Sequence, residues 1–167
     1  MSKSGKMLRE YLTNREFKLS DEAVHLLFSA NRWEDKEQLL ETLNQGVTII
    51  CDRYAYSGIA YSAAKGLQYD WCKGPDRGLL KPDLVFYMDI DPEKIAVREG
   101  YGQERYEKVE FQKKVKEVYD KIKTEHEDKG YWVNVNAQSR NIENIHEEII
   151  NMTANCINDE KVELSEQ

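Results

Sequence analysis

Two short apolar runs, Val47-Thr48-Ile49-Ile50-Cys51 and Leu84-Val85-Phe86-Tyr87-Met88, leave the chain few folds to choose from. Neither alternates with polar residues, so each reads as a parallel strand covered on both faces by helices. The segments around them have helical spacing instead. Ser20 can cap a helix whose first turn holds Asp21 and Glu22 and whose apolar side holds Ala23, Val24, Leu26, Leu27, Ala30 and Trp33. Leu39, Leu40 and Leu43 mark another, ending near Gly46. Asp91-Pro92-Glu93 reads as cap, first-turn proline and helix start. Phe111, Val115, Val118 and Ile122 mark a long helix, and Ile142, Ile145, Ile149 and Met152 a last one. Residues 132–135 form a third, weaker strand. The alternation predicts an α/β layer fold with a mostly parallel sheet. No repeat or linker divides the chain, so it reads as one domain over 1–157 and a polar, acidic, frayed tail over 158–167.

Charge narrows the function. A formal net charge of −7 over 167 residues argues against non-specific nucleic-acid binding, so an anionic ligand must be held by a local arginine cluster. No run is long enough to span a membrane, and the first residues do not resemble a signal peptide. Cys51, Cys72 and Cys156 lack metal-type spacing and read as reduced thiols of a cytosolic or nuclear protein.

Ligands of open α/β sheets collect at the carboxyl ends of the strands. There the first run ends in Asp52-Arg53-Tyr54, followed by Ala55-Tyr56-Ser57-Gly58-Ile59-Ala60-Tyr61. Asp52 can order a magnesium ion through water, and Arg53 can grip a phosphate with paired N–H donors. Gly58 lets a planar ligand lie close to the backbone. Asp-Arg alone reads better as a strand-end ion pair followed by an ordinary helix; the tyrosines and glycine that follow reverse that preference in favour of a ligand site. In residues 27–34, Phe28 and Arg32 are one helical turn apart, a ring to stack on a base and a fork to donate to its carbonyl. In isolation the same pair is more commonly a core ring and a solvated arginine. Residues 98–107 carry two glycines and two arginines between helices, which suits either a charged surface loop or a mobile flap that brings positive charge over a transferring phosphoryl group.

Residues 27–34, 52–61, 81–85 and 98–107, in this order and spacing, resemble the thymidylate kinases, most nearly the eukaryotic and poxvirus type. The likeness extends over nearly the whole chain. It implies a P-loop nucleoside-monophosphate-kinase-like parallel sheet with flanking helices and a homodimer. It also implies transfer of the γ-phosphoryl group of ATP, with Mg2+, to dTMP, giving dTDP for dTTP biosynthesis. Position by position, it assigns Phe28 to stacking on thymine and Arg32 to its O4. Arg53 binds the acceptor phosphate, and Asp52 supports the metal and phosphate indirectly through water. Ser57 and Gly58 lie against the base, Tyr61 is an aromatic wall, and Tyr106 is near the sugar hydroxyl. Arg98 reaches the nucleoside triphosphate, which makes Asp52, Arg53 and Arg98 the catalytic set. Ala137, Gln138 and Ser139, in the loop 136–142, brush adenine.

A thymidylate kinase is expected to open with a strand and then Gly-x-x-x-x-Gly-Lys-[Ser/Thr] at the start of a helix. Here Ser4-Gly5-Lys6 is followed by Met7, where a magnesium-binding hydroxyl is needed. The resemblance places residues 5–8 instead on the helix after a Phe-Pro-x-Arg turn. The expectation is that the first strand, the P-loop, that turn with its arginine and the acid for the 3′-hydroxyl are missing, roughly thirty to forty residues or one βαβ unit. In the implied strand order 2-3-1-4-5 the missing strand is central. Its loss should leave the runs at 47–51 and 84–88 without their common neighbour. An orphaned buried backbone group costs about 1–3 kcal/mol against a total of about 5–15, so the chain should be marginal, rearranged, or folded only with a partner. The family reading is then a dTMP kinase inactive as written; the alternative is a non-catalytic short form that binds thymidine nucleotide or a full-length subunit. A deoxynucleoside kinase shares a strand-end Asp/Glu-Arg but lacks Leu-Phe-x-Ala-Asn-Arg-Trp.

Overall fold

A computed structural model describes residues 2–97, 100–102, 105–138 and 140–165, with side chains as far as residue 158. The chain begins with α1 (Lys3–Thr13), whose first turn is capped by the Ser2 hydroxyl accepting from the Gly5 N–H at 3.1 Å. Next, α2 (Asp21–Glu34) starts where its sequence says it should, with Ser20 Oγ accepting from Ala23 N–H at 3.2 Å. A third helix, α3 (Lys36–Asn44), runs into Gly46 at φ +75°. After α4 (Ala55–Ala64) and α5 (Tyr69–Lys73) comes β1 (Val85–Asp89). The short α6 (Pro92–Ile95) is capped by Asp91. Then α7 (Val109–His126) leads through a 3-10 turn (Glu127–Lys129) into β2 (Trp132–Asn136), and α8 (Ile142–Ser165) closes the chain.

β1 and β2 pair in parallel, from Val85 opposite Trp132 to Asp89 opposite Asn136. A parallel pair needs a crossover, and α7 provides it. The core forms where α4, α5 and α7 meet the sheet: Ile59, Ala60, Cys72, Val115, Ile122 and Trp132. Aromatic rings thicken this core, with Tyr87 stacked on Tyr119 at 4.6 Å and Tyr56 edge-on to Trp132 at 5.3 Å. All three cysteines are free thiols, as read from their spacing.

One expectation needs correction. Residues 47–51 are not a strand: among the described residues the sheet has two strands, and Ile50 is 92% exposed. An apolar β-branched run becomes a strand only where a neighbour completes its ladder, and no described segment lies beside this one in register. Helix α3 falls where its leucines put it, and Leu40 and Leu43 on that side are exposed. Beyond residue 158 the backbone of α8 continues to Ser165.

Candidate functional site

Arg32, in the last turn of α2, crosses to the loop after α5 and holds Asp76 with two bonds, Nε to Oδ1 at 3.2 Å and Nη2 to Oδ2 at 2.6 Å. The side chains are only 12% and 4% exposed, so this is a nearly dry, bidentate pair. The guanidinium lies on the backbone of α4 at Gly58. A Cβ there would sit 2.9 Å from Nη2 and 3.2 Å from Nη1. The absence of a side chain at Gly58 is what lets the planar guanidinium of Arg32 lie this close to the helix. Asp76 escaped the sequence reading because its partner lies 44 positions away and Gly74-Pro75-Asp76 looks like any turn.

Arg53 enters α4 from the other side. It is the non-glycine residue recorded at positive φ, +67°, and this turns its side chain back along the helix. Nε donates to Ser57 Oγ at 2.8 Å, and the guanidinium carbon stands 4.4 Å from the Tyr61 ring centroid. Tyr61 in turn meets Tyr106 edge-on at 5.7 Å and Phe111 at 6.0 Å. The Tyr106 hydroxyl donates to Tyr11 Oη at 2.8 Å, and burial pushes the Tyr106 phenol pKa above its usual value. Arg53, Ser57, Tyr61 and Tyr106 are thus linked contact by contact, from the mouth of α4 to the body of α1.

The flap arginine that can be placed does something other than expected. Arg105 donates to three backbone carbonyls at the end of α1: Nε to Tyr11 O at 2.8 Å, and Nη2 to Asn14 O at 2.7 Å and Phe17 O at 3.1 Å. A cation on the carbonyl end of a helix satisfies orphan acceptors and complements the helix dipole. Arg105 therefore ties the flap's base to α1. Arg98 and Ser139 lie outside the described residues.

Between α2, α3 and residues 49–54 runs an open groove of about 530 Å³, lined by Arg32, Asp35, Gln38, Asp52, Arg53 and Tyr54 among others. Asp52 is exposed at its rim, and Phe28 is half-buried one turn before Arg32. Ala137 and Gln138 sit at the carboxyl end of β2, where Ala137 N–H donates to Asp89 O and Gln138 N–H to Asn136 Oδ1, both at 2.9 Å. No hydrogen bond among the described residues joins that corner to the groove. Nor do the described residues include a group of three or more His, Cys, Asp or Glu able to hold a metal ion. Asp52 on its own suits an indirect, water-mediated contact to a hydrated cation and cannot form a coordination shell.

A family model described as Thymidylate kinase matches residues 1–149. The chain belongs to the thymidylate kinase family. It is 47% identical over 152 residues to the thymidylate kinase of Schizosaccharomyces pombe, covering 90% of this chain and 71% of that protein. Against the Arabidopsis thaliana thymidylate kinase it is 56% identical over 118 residues, 71% of this chain and 44% of the relative. The human thymidylate kinase is 43% identical over 146 residues, with 87% and 67% covered. The solved thymidylate kinase from Candida albicans superimposes with a TM-score of 0.82 at 41% identity, over 93% of this chain and 77% of that one. The fold is therefore the α/β, nucleoside-monophosphate-kinase-like class expected from the sequence.

Proposed function

We propose that this chain builds the acceptor side of a dTMP kinase, the site that receives dTMP for phosphorylation by ATP. The observation that carries the reading is the placement of two arginines at one groove: Arg32 fixed at the end of α2 and Arg53 at the start of α4. The base lies against α2, stacked on Phe28 and read at a carbonyl by Arg32. Its phosphate meets Arg53, whose φ and Ser57 bond aim it along α4. Tyr61 and Tyr106 wall the sugar. The loop carrying Ala137, Gln138 and Ser139 takes the adenine of ATP, and Arg98 reaches its phosphates. Magnesium, when bound with ATP, neutralises phosphate charge; Asp52 would hold it through water. These residues orient and neutralise the acceptor and do no covalent chemistry themselves.

The sequence contains no Gly-x-x-x-x-Gly-Lys-[Ser/Thr], so the chain as it stands is a dTMP-binding protein without turnover. The open side of α3, with Leu40 and Leu43, offers a surface for a homodimer or for a full-length subunit. A cytosolic or nuclear setting suits its three free thiols. Calorimetric titration with dTMP and a coupled ADP-release assay test both halves. We expect saturable dTMP binding with no ADP above background. Absence of binding removes the acceptor site, and turnover by a preparation free of host kinase removes the claim of inactivity.

A further inference from the structure

We propose that Asp76 makes Arg32 a base reader instead of a phosphate grip, and thereby selects 4-keto over 4-amino pyrimidine nucleotides. The inference rests on the reading of the groove given above. The two arginines at the groove differ in one respect. Arg32 carries a dry carboxylate counter-ion, whereas the partners of Arg53 among the described residues are neutral, the Ser57 hydroxyl and the Tyr61 ring. A phosphate dianion seeks the uncompensated cation, so it goes to Arg53 and the base is left for Arg32.

Asp76 can do this because α2 holds its loop. Three donors at helical spacing on α2, at positions 25, 29 and 33, reach a carbonyl of α5 and a carbonyl of the loop that follows it. His25 Nε2–H donates to Cys72 O at 3.0 Å, Ser29 Oγ to Pro75 O at 3.1 Å, and Trp33 Nε1 to Pro75 O at 2.7 Å. Gly78, at φ +97°, closes the loop under the Trp33 ring, where a Cβ would come within 3.2 Å of it. With Nε and Nη2 tied to Asp76 and the guanidinium flat on Gly58, Arg32 cannot turn. Its Nη1, which donates to no described residue, is left as a donor-only edge at the groove. Such an edge donates to a ring carbonyl and meets an exocyclic amine donor to donor.

The chain itself, titrated with dTMP, dUMP, dCMP and inorganic phosphate, tests this as wild type and as Asp76→Asn. Wild type should bind dTMP and dUMP about 100-fold more tightly than dCMP, the range a buried hydrogen-bonding mismatch supports. In Asp76→Asn that ratio should fall below about tenfold, while inorganic phosphate competes more strongly because Arg32 has lost its counter-ion. A folded Asp76→Asn with an unchanged ratio and unchanged phosphate competition overturns the proposal. Should that variant fail to fold by circular dichroism, Trp33→Phe and Ser29→Ala loosen the same loop, and a ratio unmoved by about threefold in both overturns it equally. If wild type binds no nucleotide, the acceptor-site reading falls. The solvent exchange of the Arg32 Nε–H by NMR then decides the lock by itself: protected in wild type and unprotected in the loosened variants if Asp76 holds it, indistinguishable if it does not.

Discussion

At Gly58 two requirements pull in opposite directions. A glycine inside a helix costs about 0.5–1 kcal/mol relative to alanine, yet the Arg32 guanidinium occupies the space an alanine methyl needs, at 2.9 Å. The end of a free arginine would move aside, but this one is tied to Asp76. Overpacking costs about 1–3 kcal/mol, more than the helix gains, so Gly58→Ala should lower the melting temperature by roughly a few degrees and weaken dTMP binding about tenfold or more. Calorimetry of both quantities on one preparation checks this, and a variant at least as stable as wild type with full affinity contradicts it. At this scale the sequence was legible wherever partners are close. Ser20 and Asp91 cap the helices they precede, because a cap bonds within its own turn. Asp76 and Arg105 were not legible. Their partners, Arg32 and the carbonyls of α1, are brought to them only by the folded chain.

Among the elements, two runs of the same local character meet different fates. Residues 85–89 pair with β2, whereas 47–51 pair with nothing described and leave Ile50 in solvent. Strand pattern reports what a segment could bury; pairing depends on a neighbour that the pattern does not contain. The helices were read more reliably because their hydrogen bonds are internal, and α2, α3, α7 and α8 all fall where the 3.6-residue spacing puts them. Hydrogen exchange should separate the two runs: ladder amides of β1 and β2 ought to exchange at least about tenfold more slowly than those of 48–51. Equal protection would mean that 47–51 is paired after all.

Across the whole molecule, His25 joins three helices. Its ring is 1% exposed on α2, accepts from Ser62 Oγ of α4 at Nδ1 (2.8 Å), and donates from Nε2 to Cys72 O of α5. Burial holds its pKa below the ordinary histidine value, so the folded chain keeps it neutral. A group whose folded pKa is depressed contributes stability that is present above about pH 6.5 and is lost as pH falls through the folded value, by up to about 1.4 kcal/mol per pH unit for one proton. The melting temperature should drop between pH 7 and pH 5. His25→Gln, which keeps a donor for Cys72, should flatten part of that slope and leave the share of His126, whose pKa burial also lowers. Parallel slopes for the two proteins would show that His25 does not titrate on unfolding. The placement of Arg53 bears on the molecule's overall stability in another way. A glycine at position 53 would relax the backbone by about 1–2 kcal/mol, since left-handed geometry is open to it without penalty. That gain stands against the Ser57 bond and the Tyr61 contact that the arginine side chain makes, and, on the proposed reading, against the anion grip. At this one backbone angle, thermal robustness and ligand capture are in direct opposition, so a search for stabilised variants that ignores binding should settle on position 53 and silence the groove.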